Sequence, residues 1–351
     1  MLVYIHIAYC DSKCHYCSFN SYVDKFDTRE KYMLSLKEEL MFELDKFEVK
    51  KESIETIFIG GGTPSTIKPK LYEPIFNILS PFMTKDIEIT TEANPNSASK
   101  EWLEGMRDLG VNRVSFGVQS FNNNKLKELN RSHCKDEAIN AINNAKDIGI
   151  ENISLDLIYN YKGDTQELLL NDINQAFKLP INHISAYELT IEENTHFFKT
   201  PKVRQDNEEL AFFVKDEIEK RGFKAYEISN FGSYQSRHNK GYWELKDYIG
   251  IGCGAVGFKK DRRFYTQKDI DKYIKNPLDR EIEILSKEDI LTEKIFLGLR
   301  SIIGIDKNIL DKDMIQKADF LVQKEKLKYE NNRYYNLDFF ISDEIALYIL
   351  E

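Results

Sequence analysis

The chain has 351 residues, 42% hydrophobic and 30% charged, with a formal net charge of −9. That length and apolar content suit one barrel-type domain with an appendage, or two ordinary domains, and the acidic balance argues against nucleic acid as the main partner. No stretch approaches the ~20 apolar residues of a membrane-spanning helix. Met1–Ile7 lacks the basic region and cleavage site of a secretory signal, and the odd set of five cysteines argues against a disulfide scaffold, so the expected compartment is the reducing cytoplasm.

Six apolar, β-branched runs recur, each followed by a longer segment of helical periodicity. Leu2–Ile7 is the first, and Asp27 or Thr28 can cap the helix after it, which runs to about Phe47. Thr56–Ile59 and Ile87–Thr91 follow, then a helix capped by Ser97 or Ser99 that stops near Gly110. Arg113–Phe116 precedes a helix over about Asp136–Asp147, Ile153–Ile158 precedes Gln166–Phe177, and His183–Leu189 precedes Asn207–Arg221. Alternating strands and helices predict an α/β fold with a parallel sheet and right-handed crossovers. Six units predict an open, partial (β/α)6 barrel over residues 1–230, with a glycine-rich segment, 231–285, packed on it. From 286 the pattern changes. Ser286 can cap a helix through Arg300, and two tyrosine-rich runs around Leu327–Leu337 can pair through Asn331-Asn332. Residues 286–351 therefore read as a winged-helix-like α+β appendage, for which the acidic chain favours a lid or protein-docking role over DNA binding.

A barrel carries its chemistry on the loops at the C-terminal ends of its strands. The unusual residues fall there: a cysteine loop after the first strand, Gly60-Gly61-Gly62-Thr63-Pro64 after the second, Glu92 closing the third, Gln119 after the fourth, Asp156 late in the fifth and Ala186 in the sixth. Cys10, Cys14 and Cys17 stand in a C-x3-C-x2-C arrangement. A [4Fe–4S] cluster held only by protein takes four cysteines; here the next candidate position is Phe19, which leaves one iron open to another ligand. A zinc site with His6 or His15 as fourth ligand fits the same spacing. Gly60–Thr63 can bring backbone close to a ligand or merely make a tight turn. Glu92 can accept hydrogen bonds from a ribose or amine, or be a solvated strand-end carboxylate; Gln119, Arg131 and Asp156 equally suit a surface amide, a helix salt bridge and a turn former. Cys134 and Cys253 read most simply as unligated thiols, with Cys134 held as a minor alternative ligand.

The cysteine spacing with Tyr16 before Cys17 resembles the radical S-adenosylmethionine superfamily, in which the cofactor's amino and carboxylate groups chelate the unique iron. Tyr4–Cys10, Gly60–Ser65, Thr91–Pro95, Ser115–Phe121 and Asp156–Tyr159 resemble in order the motifs of the oxygen-independent coproporphyrinogen dehydrogenase family and its heme-chaperone branch, from about residue 1 to 300. The resemblance implies that Tyr4, Tyr16, Gly61 and Glu92 contact the cluster-bound S-adenosylmethionine. It implies further that Gly62, Thr63, Gln119, Arg131 and Asp156 match contacts to a second such molecule, and that Ala186 and Val256 match two more backbone or apolar contacts. The dehydrogenases carry a fourth cysteine where this chain has Phe19, as the chaperone branch does. His238-Asn239-Lys240-Gly241-Tyr242-Trp243 resembles that branch's HNxxYW motif, associated with heme binding, and implies His238, Tyr242 and Trp243 as heme contacts.

Two departures stand out: Ala8-Tyr9 replaces the family's Pro-Phe, and Asn160–Thr165 replaces its Gly-Leu-Pro-Gly-Gln-Thr. The function implied is a heme chaperone with a [4Fe–4S] cluster, S-adenosylmethionine and heme. Its implied partners are heme-accepting apoproteins, respiratory enzymes among them, and an electron donor, with peripheral membrane contact and no nucleic acid. The rival is the dehydrogenase itself, which converts propionates to vinyl groups by radical decarboxylation; an electron-transfer iron–sulfur protein is a third reading.

Overall fold

The computed structural model describes residues 1–351. Strands β1 (Leu2–Ile7), β2 (Ile54–Gly61), β3 (Met83–Ala93), β4 (Arg113–Gln119), β5 (Asn152–Tyr159) and β6 (His183–Glu188) lie side by side in chain order, every neighbouring pair parallel. Strand alternation divides their side chains between two faces. Val3, Ile5 and Ile7 join the large core under the helices, while Tyr4 and His6 lie on the other face. The crossovers run through α1 (Arg29–Lys46), α2 (Pro69–Leu79), α3 (Lys100–Asp108), α4 (Asn123–Glu128), α5 (Lys135–Asp147), α6 (Gln166–Ala176) and α7 (Glu208–Lys220). The Ser99, Thr165 and Asn207 side chains cap α3, α6 and α7. Thr28 caps nothing with its side chain, because a 3-10 turn over Phe26–Thr28 leads directly into α1. Helix α2 escaped the sequence pattern: Pro69 suits its first turn, but Pro74 sits inside it, where proline normally breaks a helix.

Beyond Gly222 the sheet grows at both edges. β7 (Lys224–Ala225) and β8 (Asn230–Gly232) add antiparallel at β6. The chain then forms α8 (Arg237–Trp243) against β2 and returns as β9 (Tyr248–Ile251), parallel to β1 on its free side. β10 (Val256–Lys259), β11 (Arg262–Thr266) and, after α9 (Ile270–Lys275), β12 (Arg280–Ile284) continue antiparallel. The result is a 12-stranded sheet in the order β12-β11-β10-β9-β1-β2-β3-β4-β5-β6-β8-β7. The glycine-rich segment thus contains a strand, and Gly250 within it is required by crowding: a Cβ there would lie 1.8 Å from the Val256 carbonyl oxygen.

The remaining residues form α10 (Lys287–Leu299), β13 (Ile305–Asp306), α11 (Lys312–Gln323), β14 (Leu327–Glu330), β15 (Arg333–Asn336) and α12 (Ser342–Leu350). A three-stranded sheet ordered β13-β15-β14 and the helices enclose their own core, from Ile295 to Ile349. Asn331 and Asn332, at φ 49° and 62°, make the tight hairpin expected of them. This is a partial barrel with a C-terminal α+β appendage, and no helix is long and apolar enough to cross a membrane.

The unusual Asn160–Thr165 loop has a structural explanation. Asn160 takes φ 62°, which asparagine tolerates better than most residues, and its Nδ2 donates to Glu188. Asp164 accepts from the Lys125 ammonium at 2.7 Å, both side chains being buried, and Lys125 also donates to the Ile158 carbonyl at 2.6 Å. This pair joins the loops after β4 and β5. Asp164→Ala leaves a buried ammonium without its counter-charge and is expected to cost about 3–5 kcal/mol. Urea denaturation should show Lys125→Met/Asp164→Ala to be the more stable of the two variants.

Candidate metal and cofactor site

The C-terminal ends of β1 to β6 and the loops after them surround a cavity of about 530 Å³. Its wall includes Cys10, Cys14, Tyr16, Cys17, Gly61, Gly62, Thr63, Glu92, Gln119, Arg131 and Asp156. Parallel strands deliver these side chains to one rim although their sequence positions are far apart. Tyr4, Val256 and Tyr242 line an adjoining cavity instead. Ala186 belongs to the core, and His238 and Trp243 line neither cavity.

The cysteine loop is held by backbone bonds from Cys10 N–H to Tyr22, from Tyr22 N–H to Ala8 and from Cys17 N–H to Cys14. Tyr9, which departs from the family pattern, is fully buried with its hydroxyl 2.8 Å from Thr28 Oγ1. A hydrogen-bonded chain then connects two of the sulfurs. Cys10 Sγ lies 3.2 Å from Thr63 Oγ1, which accepts from Asn94 Nδ2 at 3.1 Å; Asn94 Oδ1 accepts from Arg131 at 2.6 Å, and Arg131 donates to Cys14 Sγ at 3.2 Å. Asn94 was missed as a site residue, although it lies inside the Thr91–Pro95 motif. Burial raises the Cys10 and Cys17 thiol pKa values, opposed by hydrogen bonds from Thr63 and Ser21 at Cys10 and chiefly by the Lys13 charge at Cys17.

Gly61, at φ 106°, packs so closely on His6 that a Cβ would lie 2.6 Å from the imidazole, and its N–H donates to Glu92 Oε2 at 3.1 Å. Burial, reinforced by the Asp156 charge, pushes the Glu92 carboxyl up to about 8 against the favourable Gly61 bond and Arg113 guanidinium. Burial likewise pushes Asp156 up to about 6, opposed by hydrogen bonds from Ser185 and Ser115. Gln119 has φ 70° at an irregularity in the β4–β5 register, and its buried Oε1 has no partner. A strained residue with an orphaned acceptor on a cavity wall is ready to receive a ligand donor.

Both histidines weighed as zinc ligands are engaged elsewhere. His6 bonds Tyr4 and the Asn20 carbonyl, and His15 bonds the Glu128 carbonyl and stacks on His196. No three acidic, histidine or cysteine side chains converge on a single-ion site. A four-iron cube makes no such demand, because each thiolate meets a different iron. Cys134 caps α5 outside the cavity, and Cys253 is buried, its Sγ accepting from Asn20 Nδ2 and donating to the Lys268 carbonyl. His238 is fully buried under α8. Its Nδ1 lies 2.7 Å from Thr56 Oγ1, its Nε2 has no partner, and its ring contacts Phe58 and Tyr242. Glu88 accepts from the N–H groups of Arg237 and His238 and so anchors α8.

Residues 4–176 match the radical SAM superfamily model. Two curated relatives are each 34% identical to this chain: the heme chaperone HemW of Lactococcus lactis, over 86% of this chain and 82% of its own length, and that of Bacillus subtilis, over 87% and 84%. The HemW of Haemophilus influenzae is 39% identical over 73% of this chain and 69% of its own. The chain belongs to the HemW family. Among solved structures, the coproporphyrinogen III oxidase HemN of Escherichia coli, described as a radical SAM enzyme, superimposes with a TM-score of 0.81 over 99% of this chain and 89% of its own, at 17% identity, a likeness of fold alone.

Membership of the radical SAM superfamily implies a [4Fe–4S] cluster and S-adenosylmethionine, and this HemW-family cavity fits them. Three thiols share one cavity, and the cationic iron of a cluster would reverse the burial penalty on their ionised forms. A carboxyl that ionises near 8 when folded and near 4.3 when unfolded holds its proton longer in the folded state. Its contribution to stability is therefore full below the lower value and lost as pH rises through the upper one. Glu92→Gln removes that loss. Its stability relative to the parent, measured by urea denaturation of cluster-free protein, should improve by roughly 3–4 kcal/mol between pH 5 and pH 8.

Proposed function

We propose that this chain binds heme and passes it to acceptor apoproteins, with Cys10, Cys14 and Cys17 holding a [4Fe–4S] cluster whose open iron takes S-adenosylmethionine. The observation that carries the reading is 34–39% identity over most of the chain to proteins named heme chaperones. Phe19, where the dehydrogenases have a fourth cysteine, supports the same branch.

When bound, the cluster supplies an electron and an open coordination position. The chain's own residues prepare the cavity. Arg131 brings positive charge to Cys14 Sγ, and the Thr63 hydroxyl sits beside Cys10. Gly61 admits a ligand close to the backbone, with Glu92 beside it as acceptor for the ligand's amine or ribose hydroxyls. Tyr16, Gly62, Gln119 and Asp156 complete the enclosure, the unpartnered Gln119 Oε1 being free to accept a further ligand hydrogen bond. Tyr4 and Val256 act from the adjoining wall, and Ala186 supports through the core.

Heme is assigned to the α8 side of the barrel. Burial pushes the His238 pKa down to about 3, aided by Arg113, so the ring is neutral, and its Nε2 has no hydrogen-bond partner. That is the form in which imidazole ligates iron. Ligation requires α8 to lift from β2, since the ring is fully buried here. Tyr242 and Trp243 lie on the same helix. The proposed setting is the cytoplasm, with an electron donor for the cluster, respiratory enzymes among the heme acceptors and peripheral contact with their membrane.

Hemin titrated into anaerobically reconstituted protein should give a saturable Soret band, and the loaded protein should yield its heme to an apoprotein acceptor. Replacing Cys10, Cys14 and Cys17 together by alanine should abolish the visible absorption of the cluster. Absence of saturable heme binding together with turnover of coproporphyrinogen III would replace this reading with the dehydrogenase.

A further inference from the structure

The cavity adjoining the cysteine site has a volume of about 700 Å³, within the range of roughly 300–1,000 Å³ typical of small-molecule sites. The two cavities share Lys13, Cys17, Ser18 and Phe19, so the last turn of the cysteine loop is their common wall. Their chemistry differs sharply. The cysteine cavity includes Glu92, Asp156, Glu188 and Glu192, whereas no carboxylate lines the second. In a chain with 58 acidic and 49 basic residues, that wall instead presents Lys13 and Lys268. Neither ammonium forms an ion pair with a carboxylate of the chain.

Tyr242 and Tyr248 supply aromatic surface, packed edge to face at 4.7 Å between ring centroids. Ala255 adds apolar surface, and Phe19, also on this wall, stands 64% exposed. Both lysines are hydrogen-bonded to the Phe19–Tyr22 segment, Lys13 by its ammonium and Lys268 by its backbone. Lys13 Nζ donates to the Phe19 carbonyl and Ser21 Oγ, while Asn20 Nδ2 and the Tyr22 hydroxyl donate to the Lys268 carbonyl. An apolar, aromatic wall with two lysines and no carboxylate among its lining residues is complementary to a flat, largely apolar molecule bearing carboxylates.

We infer that this second cavity is the seat of a dicarboxylate tetrapyrrole, with its propionates paired to Lys13 and Lys268 and its macrocycle against Tyr242 and Tyr248. The inference rests on the heme reading above and adds the location and the anion-recognising residues. It puts the macrocycle across the Cys17–Phe19 wall from the cysteine cavity. It also puts the macrocycle against Tyr242, whose other contact is an edge-to-face packing on His238 at 4.7 Å.

Hemin and its dimethyl ester, which lacks both carboxylates, can be titrated into the parent protein, Lys268→Glu and Lys13→Gln/Lys268→Glu, with cluster iron and circular dichroism measured for each. A partly exposed ion pair is worth up to about 1 kcal/mol, so Lys268→Glu should weaken hemin binding about fivefold and the double variant more than tenfold. The ester should bind the parent as weakly as hemin binds the double variant, and it should not distinguish the proteins. Because the ester is tested on the parent itself, a variant that fails to fold does not blunt the result. If hemin binds all three proteins equally and the ester binds as tightly as hemin, the seat lies elsewhere while the heme reading stands. If the parent binds no hemin, both fall.

Discussion

The hydrogen-bonded chain from Cys10 through Thr63, Asn94 and Arg131 to Cys14 is the constraint on which the site depends. It joins the loop after β1 to the ends of β2 and β3 and to the connection between α4 and α5. Arg131 is its fixed charge: the guanidinium also donates to the Gly117 carbonyl, so it is oriented by the end of β4 as well as by Asn94. Charge-assisted bonds of this kind are stronger than neutral ones, especially away from water. The cysteine loop therefore has a defined position before any ligand arrives. The buried Lys125–Asp164 pair does the same for the loops after β4 and β5.

An open barrel has consequences that a closed one lacks. β1 is not an edge; β9 covers its free side, and three antiparallel strands extend the sheet beyond it. That extension, together with Tyr242 of α8, encloses the second cavity beside the cysteine loop. Two ligand-sized spaces thus share one short wall, one acidic and one basic. The proximity offers a physical route by which occupancy or charge on one side of Cys17 could be felt on the other, because only the Cys17–Phe19 segment intervenes.

The six central strands were legible in the sequence because parallel, doubly covered strands read as apolar β-branched runs. Helix caps such as Ser99, Asn207 and Ser286 were equally plain. Helix α2 was hidden by two prolines, and β9 by glycines that sequence reading assigns to turns but that close strand packing requires. The Asn160–Thr165 departure carried no stated role in the sequence, and the structure shows that it supplies the partner of a buried lysine. HNxxYW implied His238, Tyr242 and Trp243 as heme contacts without saying how they lie; α8 turns His238 inward onto Thr56 and has Tyr242 line a cavity.

The order of strands, the three cysteines and the strand-end residues were determined by local pattern, since periodicity and spacing act over a few residues. Which of those side chains meet was decided by the tertiary structure. Sheet register sets Glu92 beside the Gly61 N–H, and crossover packing brings Arg131 to Cys14 across 117 residues of sequence. The return of β9 to β1 helps to enclose a second cavity whose lining includes lysines 255 positions apart, since residue 13 and residue 268 line one space only when the sheet is assembled. No one-dimensional pattern carries that information: the contacts depend on backbone paths that become neighbours only after the core has formed.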